Sequence, residues 1–471
     1  MNHNHKLNSW GIYFISTLSL HLLFLYSGKF LISPTACLLS DSWIIHSMAV
    51  NYIADGVMRY HEAGPTLFQL PLYPWFISIF YRIFGEDPRI IIVFQILVNA
   101  ILISTILSYT KLFLGRWNLL LFLLFLFDIH SLLYTSCLIT EFWIFAFWLV
   151  SWFFIACYEK SSEKKFWFLH IVCLSVMTWM KPIMGIWAPF SIIISFLLLP
   201  KVRFNWKLIV PGILLHGLLI SPLFIRNYQV TGDLGRYSTI SSYNAWYFNV
   251  VYHEADKTGM SIQDTRTKLV NKMREYINKT QSKSIPFIKK NIASDRKKHV
   301  EALGLKEYEY ARIADIMVKK YMGENLFSYS ANHLYSGLNI FTISNLSWFK
   351  LYYNRFEAFS FGSLGFFGCI DQLAMFNFKS YLLFVRIYEM FYVFFLLLFS
   401  LVYLIFERKN WIKSYFIQYG MMFIVYMTFI SGVNVWGRFR YLFMPVLIYL
   451  GVCGVKSMYE YICNKEKLKV S

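Results

Sequence analysis

The sequence is poor in charge, poorer still in acid, and without closely spaced cysteines. Only 15% of its 471 residues are charged while 57% are hydrophobic, a balance that leaves too little polar surface to wrap a soluble core. The 26 acidic residues are outnumbered by 45 basic ones. Much of that excess sits in short linkers between apolar runs, a pattern of membrane topology and not of a nucleic-acid-binding face. The seven cysteines stand singly, with no CxxC spacing, so neither a metal nor a redox motif follows. Cys137, Cys157, Cys173, Cys453 and Cys463 lie within or beside apolar segments. Cys37 and Cys369 fall in polar regions and are either inert thiols or a pair. The chain contains no P-loop, no GxGxxG opening a helix after a strand and no HExxH, so nucleotide-driven transport is unsupported. Repeats of fixed period and low-complexity tracts are also missing.

What the sequence has instead is apolar runs of about 20 residues, each enough for a helix to cross about 30 Å of hydrocarbon. They are too many for a signal peptide ahead of a soluble domain. The first covers Trp10 to Ile32; others begin near Ile90, Trp117, Leu138, Phe166, Ile183 and Leu208; the last three cover Tyr381 to Phe406, Ser414 to Ile430 and Tyr441 to Ile462. The expected fold is an all-α polytopic membrane protein with about ten spans, about thirteen being the upper bound.

Pro71 to Gly85 is apolar but short, and loop charge decides its status. If it does not cross, the linkers with Lys111 and Arg116, with Lys160, Lys164 and Lys165, with Lys201, Arg203 and Lys207, and with Arg408, Lys409 and Lys413 share one side with the Lys465, Lys467 and Lys469 tail. The positive-inside rule puts that side, and both termini, in the cytoplasm. Pro71 to Gly85 then reads as an interfacial helix in the first outer loop. The expected organisation is a membrane module over 1–226 with an outer loop at 33–89, an outer region over 227–380, and C-terminal spans over 381–471. Within the outer region, Leu269, Met273 and Ile277 keep helical spacing, so a mostly helical cap is expected.

The residues that can carry chemistry are polar ones at outer span ends. Asp41, in LLSDSWIIHS, is either a general base for an acceptor hydroxyl or amine, or the N-cap of the helix that follows. Glu141, in CLITEFWIF, is an intramembrane acid, or a carboxylate favoured by a helix N-terminus. Asp128 is a candidate of the same type, with a solvated span end as its bland reading. Lys181 in WMKPIMG, Arg226 in PLFIRNYQ, and Arg438 and Arg440 in WGRFRYLFMP are cations on the side where the rule disfavours them. Each alone can snorkel into headgroups; together they suggest an anionic ligand such as a phosphate. His61 with Glu62 and His253 with Glu254 lack metal-ligand spacing and read as surface residues. Tyr60, His61, Glu62, Tyr73 and Asn244 are expected to line the pocket or meet the acceptor.

The order of these features resembles the integral-membrane glycosyltransferases of the GT-C type, in particular bacterial relatives of the protein O-mannosyltransferases and the lipid A aminoarabinose transferase. The resemblance rests on an acid after the first span, then YIADG, PLYPWFISIFYRIFG, IIIVFQILVNAIL, an ITE segment, a KP hairpin, an IRN span end and GRFRYLFMP. It implies an enzyme that takes a sugar from a polyprenyl-phosphate carrier in the outer leaflet and passes it to a lipid, glycan or protein acceptor on the same side, with inversion. By the same resemblance Asp41 corresponds to the acid that contacts or deprotonates the acceptor and Glu141 to the acid opening the fourth span. Lys181, Arg226, Arg438 and Arg440 look like donor-phosphate contacts. Many relatives carry two adjacent acids after the first span, whereas Ser42 follows Asp41 here, so a metal site needing both has one ligand fewer. No cofactor is assigned and a divalent cation stays open. A transporter or flippase for lipid-linked saccharides, or a polymerase or ligase, is the alternative; polar residues at span ends and one dominant outer loop favour the transferase over midplane transport. A bacterial inner membrane fits best, with the Asn278 and Asn345 sequons leaving the endoplasmic reticulum open.

Overall fold

The computed structural model describes residues 3–27, 38, 41–60, 66–198, 205–293, 296–341, 378–431 and 437–470. The chain is a multi-pass membrane protein, and among the described residues it forms helices and no strands. Among the described residues six helical stretches are long and apolar enough to cross a bilayer, and Pro182–Leu198 and Tyr415–Ile430 are shorter apolar helices. Among the described residues the helices of full spanning length therefore do not confirm the expected count of about ten spans.

From the N-terminus the helices are α1 (His3–Ser27), α2 (Ser42–Asp55), α3 (Leu72–Phe84), α4 (Pro88–Leu114), α5 (Asn118–Leu126), α6 (Ile129–Thr135), α7 (Thr140–Ser161), α8 (Lys164–Met180), α9 (Pro182–Leu198) and α10 (Trp206–Thr231). The single span expected from Trp117 is thus broken in two. Asp128 breaks it: its carboxylate accepts from the His130 and Ser131 amides, both at 3.2 Å, capping α6 where α5 would otherwise continue. Asp128 is also 1% exposed, which overturns its reading as a solvated span end.

At 13 residues α3 is about 20 Å long, short of the hydrocarbon thickness. One face, with Tyr73, Ile77 and Tyr81, is buried, while Trp75, Ile83 and Phe84 are exposed. That two-faced pattern suits a helix lying along the bilayer surface.

After α10 come α11 (Ile240–Asn244), a π-helical turn (Ala245–Val250), α12 (Val251–Thr258), α13 (Ile262–Gln281), α14 (Lys290–Ala293), α15 (Arg296–Ala302) and α16 (Glu307–Leu338). They enclose a second apolar core of which Leu269, Met273, Ile277, Tyr310 and Met317 are members, and Ile44 and Met48 of α2 complete it. The cap is therefore helical, and it is seated on α2 by shared packing. The long helix α16 kinks at Asn325 (φ −134°, ψ 21°), whose side chain donates to the Tyr321 carbonyl at 3.0 Å and accepts from Lys257 at 2.7 Å. A side chain inserted into the backbone ladder is a recognised cause of such kinks.

The C-terminal part consists of α17 (Phe378–Phe406), α18 (Arg408–Trp411), α19 (Tyr415–Ser431), α20 (Gly437–Tyr441) and α21 (Met444–Val470). Helices α17 and α21 touch backbone to backbone at Gly454, where only a residue without Cβ fits.

Candidate active site

A cavity of about 610 Å³ opens where the start of α2, the start of α7, the α8–α9 hairpin and the first residues of the cap converge. Asp41, Glu141, Lys181 and Asn244 all line it. Four of the sequence-expected residues thus meet, although they come from points far apart in the chain.

Each is positioned by local chemistry. Asp41 has helical dihedrals (φ −62°, ψ −17°) and its side chain makes no capping hydrogen bond. The N-cap alternative therefore fails on geometry: a capping residue needs extended backbone so that its side chain can turn back to the amides. Only the Asp41 carbonyl serves the helix, accepting from Ile44 and Ile45.

Glu141 occupies the first turn of α7, where the helix dipole favours negative charge. Lys181 is the single extended residue between α8 and α9 (φ −151°, ψ 134°). Pro182 enforces that conformation, because a residue before proline is driven out of the helical region and proline suits the first position of the next helix. The KP pair thereby turns the hairpin sharply and sets the lysine at the cavity. Lys181 donates to Glu141 through Nζ, and Nζ also lies 4.7 Å from the centroid of the Phe439 ring. At 2% exposure for the Glu141 side chain and 17% for that of Lys181, this is a largely desolvated ion pair with a cation–π contact.

Other lining residues gave no signal in the sequence. Gln69, Tyr237, Asn249 and His333 also face the cavity, so amides and hydroxyls from the cap and the first loop form the wall opposite α7 and α9. Tyr237 donates through its hydroxyl to the Thr178 carbonyl, and its ring packs against Gly185, where a Cβ would stand 3.0 Å from ring carbons. The π-helical turn after Asn244 marks this wall in the structure, since such turns collect at functional sites.

Arg226 and Arg440 lie elsewhere. Arg226 donates to the Thr66 carbonyl at 2.8 Å and to Asn227 at 3.0 Å, and it borders a separate apolar cavity of about 710 Å³ beside α3 and α10. Arg440 is 1% exposed and its donors are taken up: Nε by His130 at 3.0 Å, Nη1 by the Ile340 and Phe341 carbonyls at 3.1 Å, and Nη2 by Glu389. With Asp128, which binds His130 at 2.8 Å, these residues form a buried network. Glu389, an acid inside the apolar run of α17, was the overlooked signal for it. Arg438 lies in α20, but its side chain falls outside the described residues, as do His61 and Glu62.

Tyr60 packs against the cap core. Tyr73 is buried in α3 and its hydroxyl donates to Gln95 at 2.5 Å, so neither lines the cavity. His253 proves to be part of the cap interior, 4% exposed and sharing a hydrogen bond with Tyr321 at 2.7 Å, while Glu254, partly buried at its edge, accepts from Tyr321 at 3.0 Å. Among the described residues no three His, Cys, Asp or Glu side chains form a group able to hold a metal.

Residues 65–225 match the family described as dolichyl-phosphate-mannose-protein mannosyltransferase. No curated protein matches the chain. Among solved structures, the crystal structure of ArnT from Cupriavidus metallidurans bound to undecaprenyl phosphate is similar at 12% identity and a TM-score of 0.41, over 95% of this chain and 77% of that one. The resemblance to the GT-C type therefore holds for the stretch that carries Glu141 and Lys181: residues 65–225 are similar to the protein mannosyltransferases.

Proposed function

We propose that the chain is a glycosyltransferase that moves a sugar from a polyprenyl-phosphate carrier to an acceptor at the outer face of a bacterial inner membrane. The observation that carries this reading is the meeting of Asp41 with the Glu141–Lys181 pair on one cavity. Helix direction supports the sidedness. Helix α7 starts at the cavity and carries Lys160 in its last turn, and α8 starts at Lys164 and runs back to end just before Lys181. The far end also brings Ile106, Tyr109, Phe113 and Ser414, which adjoin the linkers with Lys111 and Lys413 in sequence, beside Lys160, and this supports reading that end as cytoplasmic by the positive-inside rule.

In the reaction, an acceptor hydroxyl or amine attacks the anomeric carbon while its proton passes to the Asp41 carboxylate. The bond from that carbon to the phosphate oxygen breaks, and its electron pair leaves with the polyprenyl phosphate. A single displacement inverts the anomeric centre. Lys181 meets the charge that grows on the leaving phosphate, in a site where little water competes. Glu141 acts through Lys181 as a positioning residue: the buried ion pair holds the ammonium in place at the cavity.

Two measurements test this. Purified protein should bind undecaprenyl phosphate, and Lys181→Ala should weaken binding at least tenfold, whereas Asp41→Asn should leave it unchanged. In deletion cells complemented with each variant, envelope glycans followed by mass spectrometry should show transfer by Asp41→Asn reduced by about 10²–10⁴, the usual worth of a general base. Wild-type transfer by Asp41→Asn would remove the base assignment, and unchanged affinity in Lys181→Ala would remove the phosphate assignment.

A further inference from the structure

A second, polar cleft of about 950 Å³ lies between the end of α10, the 232–236 turn, the end of α13 and the start of α16. Its volume is at the upper end of the roughly 300–1,000 Å³ typical of small-ligand pockets, more than a single sugar ring needs. Gly235 lines both this cleft and the cavity that holds Asp41. The two spaces are therefore neighbours across one turn of chain.

The lining has a definite chemistry. Tyr228, Tyr276 and Tyr308 contribute aromatic rings, and Gln281 and Arg312 contribute planar polar groups. The three tyrosine hydroxyls and the Arg312 guanidinium have no hydrogen-bond partner among the described residues. Arg236, by contrast, is fixed to Asp315 at 2.8 Å and stiffens the wall. Aromatic faces receive the C–H side of a pyranose, while planar amide and guanidinium groups pair with vicinal hydroxyls. An acyl chain would want a lining that is apolar throughout, whereas Asp233, Arg236, Glu309 and Arg312 interrupt the Leu234, Ile313 and Ile316 surface here. An extended peptide would want a strand edge, and no strand occurs among the described residues.

We infer that this cleft holds the saccharide of the acceptor, an oligosaccharide whose reactive end passes Gly235 into the catalytic cavity. The inference rests on the transferase reading and specifies its acceptor as a glycan or glycolipid.

The test uses full-length protein in lipid nanodiscs, with no donor present. The probe is the fluorescently labelled oligosaccharide mixture released by mild acid from the envelope of the source cells, with tryptic peptides of secreted proteins from the same cells as the rival arm. The wild type should retain a saccharide fraction, and Tyr308→Ala and Arg312→Ala should each lower retention at least tenfold while undecaprenyl phosphate binding stays at the wild-type level. Absence of saccharide retention, equal retention by the variants, or retention of peptides in its place overturns the inference. Loss of undecaprenyl phosphate binding by the wild type would instead count against the transferase reading, so the two failures are distinguishable.

Discussion

At the scale of single residues, the Glu141–Lys181 pair makes opposite demands on stability and on activity. Removing one partner of a buried pair strands the other charge, at a typical cost of about 3–5 kcal/mol; because the Lys181 side chain keeps 17% of its exposure, about 3 kcal/mol is the expected figure. Lys181→Met alone should therefore lower stability in detergent by about that much, and Glu141→Gln/Lys181→Met should recover most of it. Transfer should be lost in both. Recovery of transfer in the double variant would show that the lysine is structural. Gly185 offers a milder probe of the same wall. A methyl there meets the Tyr237 ring at 3.0 Å, so Gly185→Ala should cost about 1 kcal/mol of overpacking yet reduce transfer more than tenfold, because the ring lining the cavity must move. Folding measured by tryptophan fluorescence and transfer measured in complemented cells separate the two effects.

At the scale of elements, helix contacts grade the glycines. At Gly454 of α21 a Cβ would stand 1.8 Å from the Phe399 carbonyl oxygen of α17, a backbone atom that cannot rotate away. At Gly420 of α19 the nearest atom is a Val446 methyl at 2.9 Å, and at Gly217 of α10 nothing lies within 4 Å. Gly454→Ala should cost about 3 kcal/mol or more and Gly420→Ala about 1 kcal/mol, while Gly217→Ala should stabilise by about 0.5–1 kcal/mol through helix entropy. A thermal-unfolding series that breaks this order would show that α17 and α21 do not pack as described. The cap makes its own prediction through acid. Burial pulls the Glu254 carboxyl upward, but hydrogen bonds from Lys268 and Tyr321 outweigh it and hold the group below its ordinary range. Burial lowers His253 below 6.5, with Lys257 adding to the effect. Both depressed groups stabilise the cap above their unfolded values and lose that contribution as pH falls, His253 first and Glu254 at lower pH. Amide exchange in α12 and the first half of α16, corrected for intrinsic rate, should accelerate between pH 7 and 5. An unchanged profile would contradict the buried His253.

The same scale explains what was legible beforehand. Apolar runs place the helices because lipid demands them, and the KP dipeptide and the short length of α3 announce their geometry locally. Asp128 did not announce that it would split a span, since an acid at an apolar segment's end reads alike whether solvated or capping. Arg440 was misleading for a related reason. Its partners Glu389 and His130 are distant in sequence, and periodicity does not reveal which cation will be consumed by a buried network. Loop charge bears on which side of the membrane a residue is expected, but only packing decides whether it reaches the cavity.

At the scale of the whole molecule, cap and membrane part are joined at Glu307, the first residue of α16. Its carboxylate accepts from the Thr66 hydroxyl at 2.7 Å, the Leu67 amide at 3.1 Å and the Thr239 hydroxyl. Arg226 holds the Thr66 carbonyl, and the Ser238 hydroxyl and Thr239 amide both reach the Leu67 carbonyl at 3.2 Å. One carboxylate and one guanidinium thus clasp the first loop, the end of α10, the turn before α11 and the start of α16, which accounts for Arg226 without a phosphate. Tyr237, Asn244 and Gln69, all on the cavity wall, sit within a few residues of these contacts. Charge-assisted hydrogen bonds contribute about 1.5–3 kcal/mol each, so Glu307→Gln, which weakens three at once, should accelerate amide exchange at 66–70 and 238–244 at least tenfold. It should lower transfer in parallel, with undecaprenyl phosphate binding less affected because Lys181 hangs from α8 and α9. Arg226→Lys, which disturbs only the carbonyl contact, should do less of both. If Glu307→Gln leaves exchange and transfer at wild-type values, the cap is held by apolar packing on Ile44 and Met48 alone, and the cavity wall is set without the clasp.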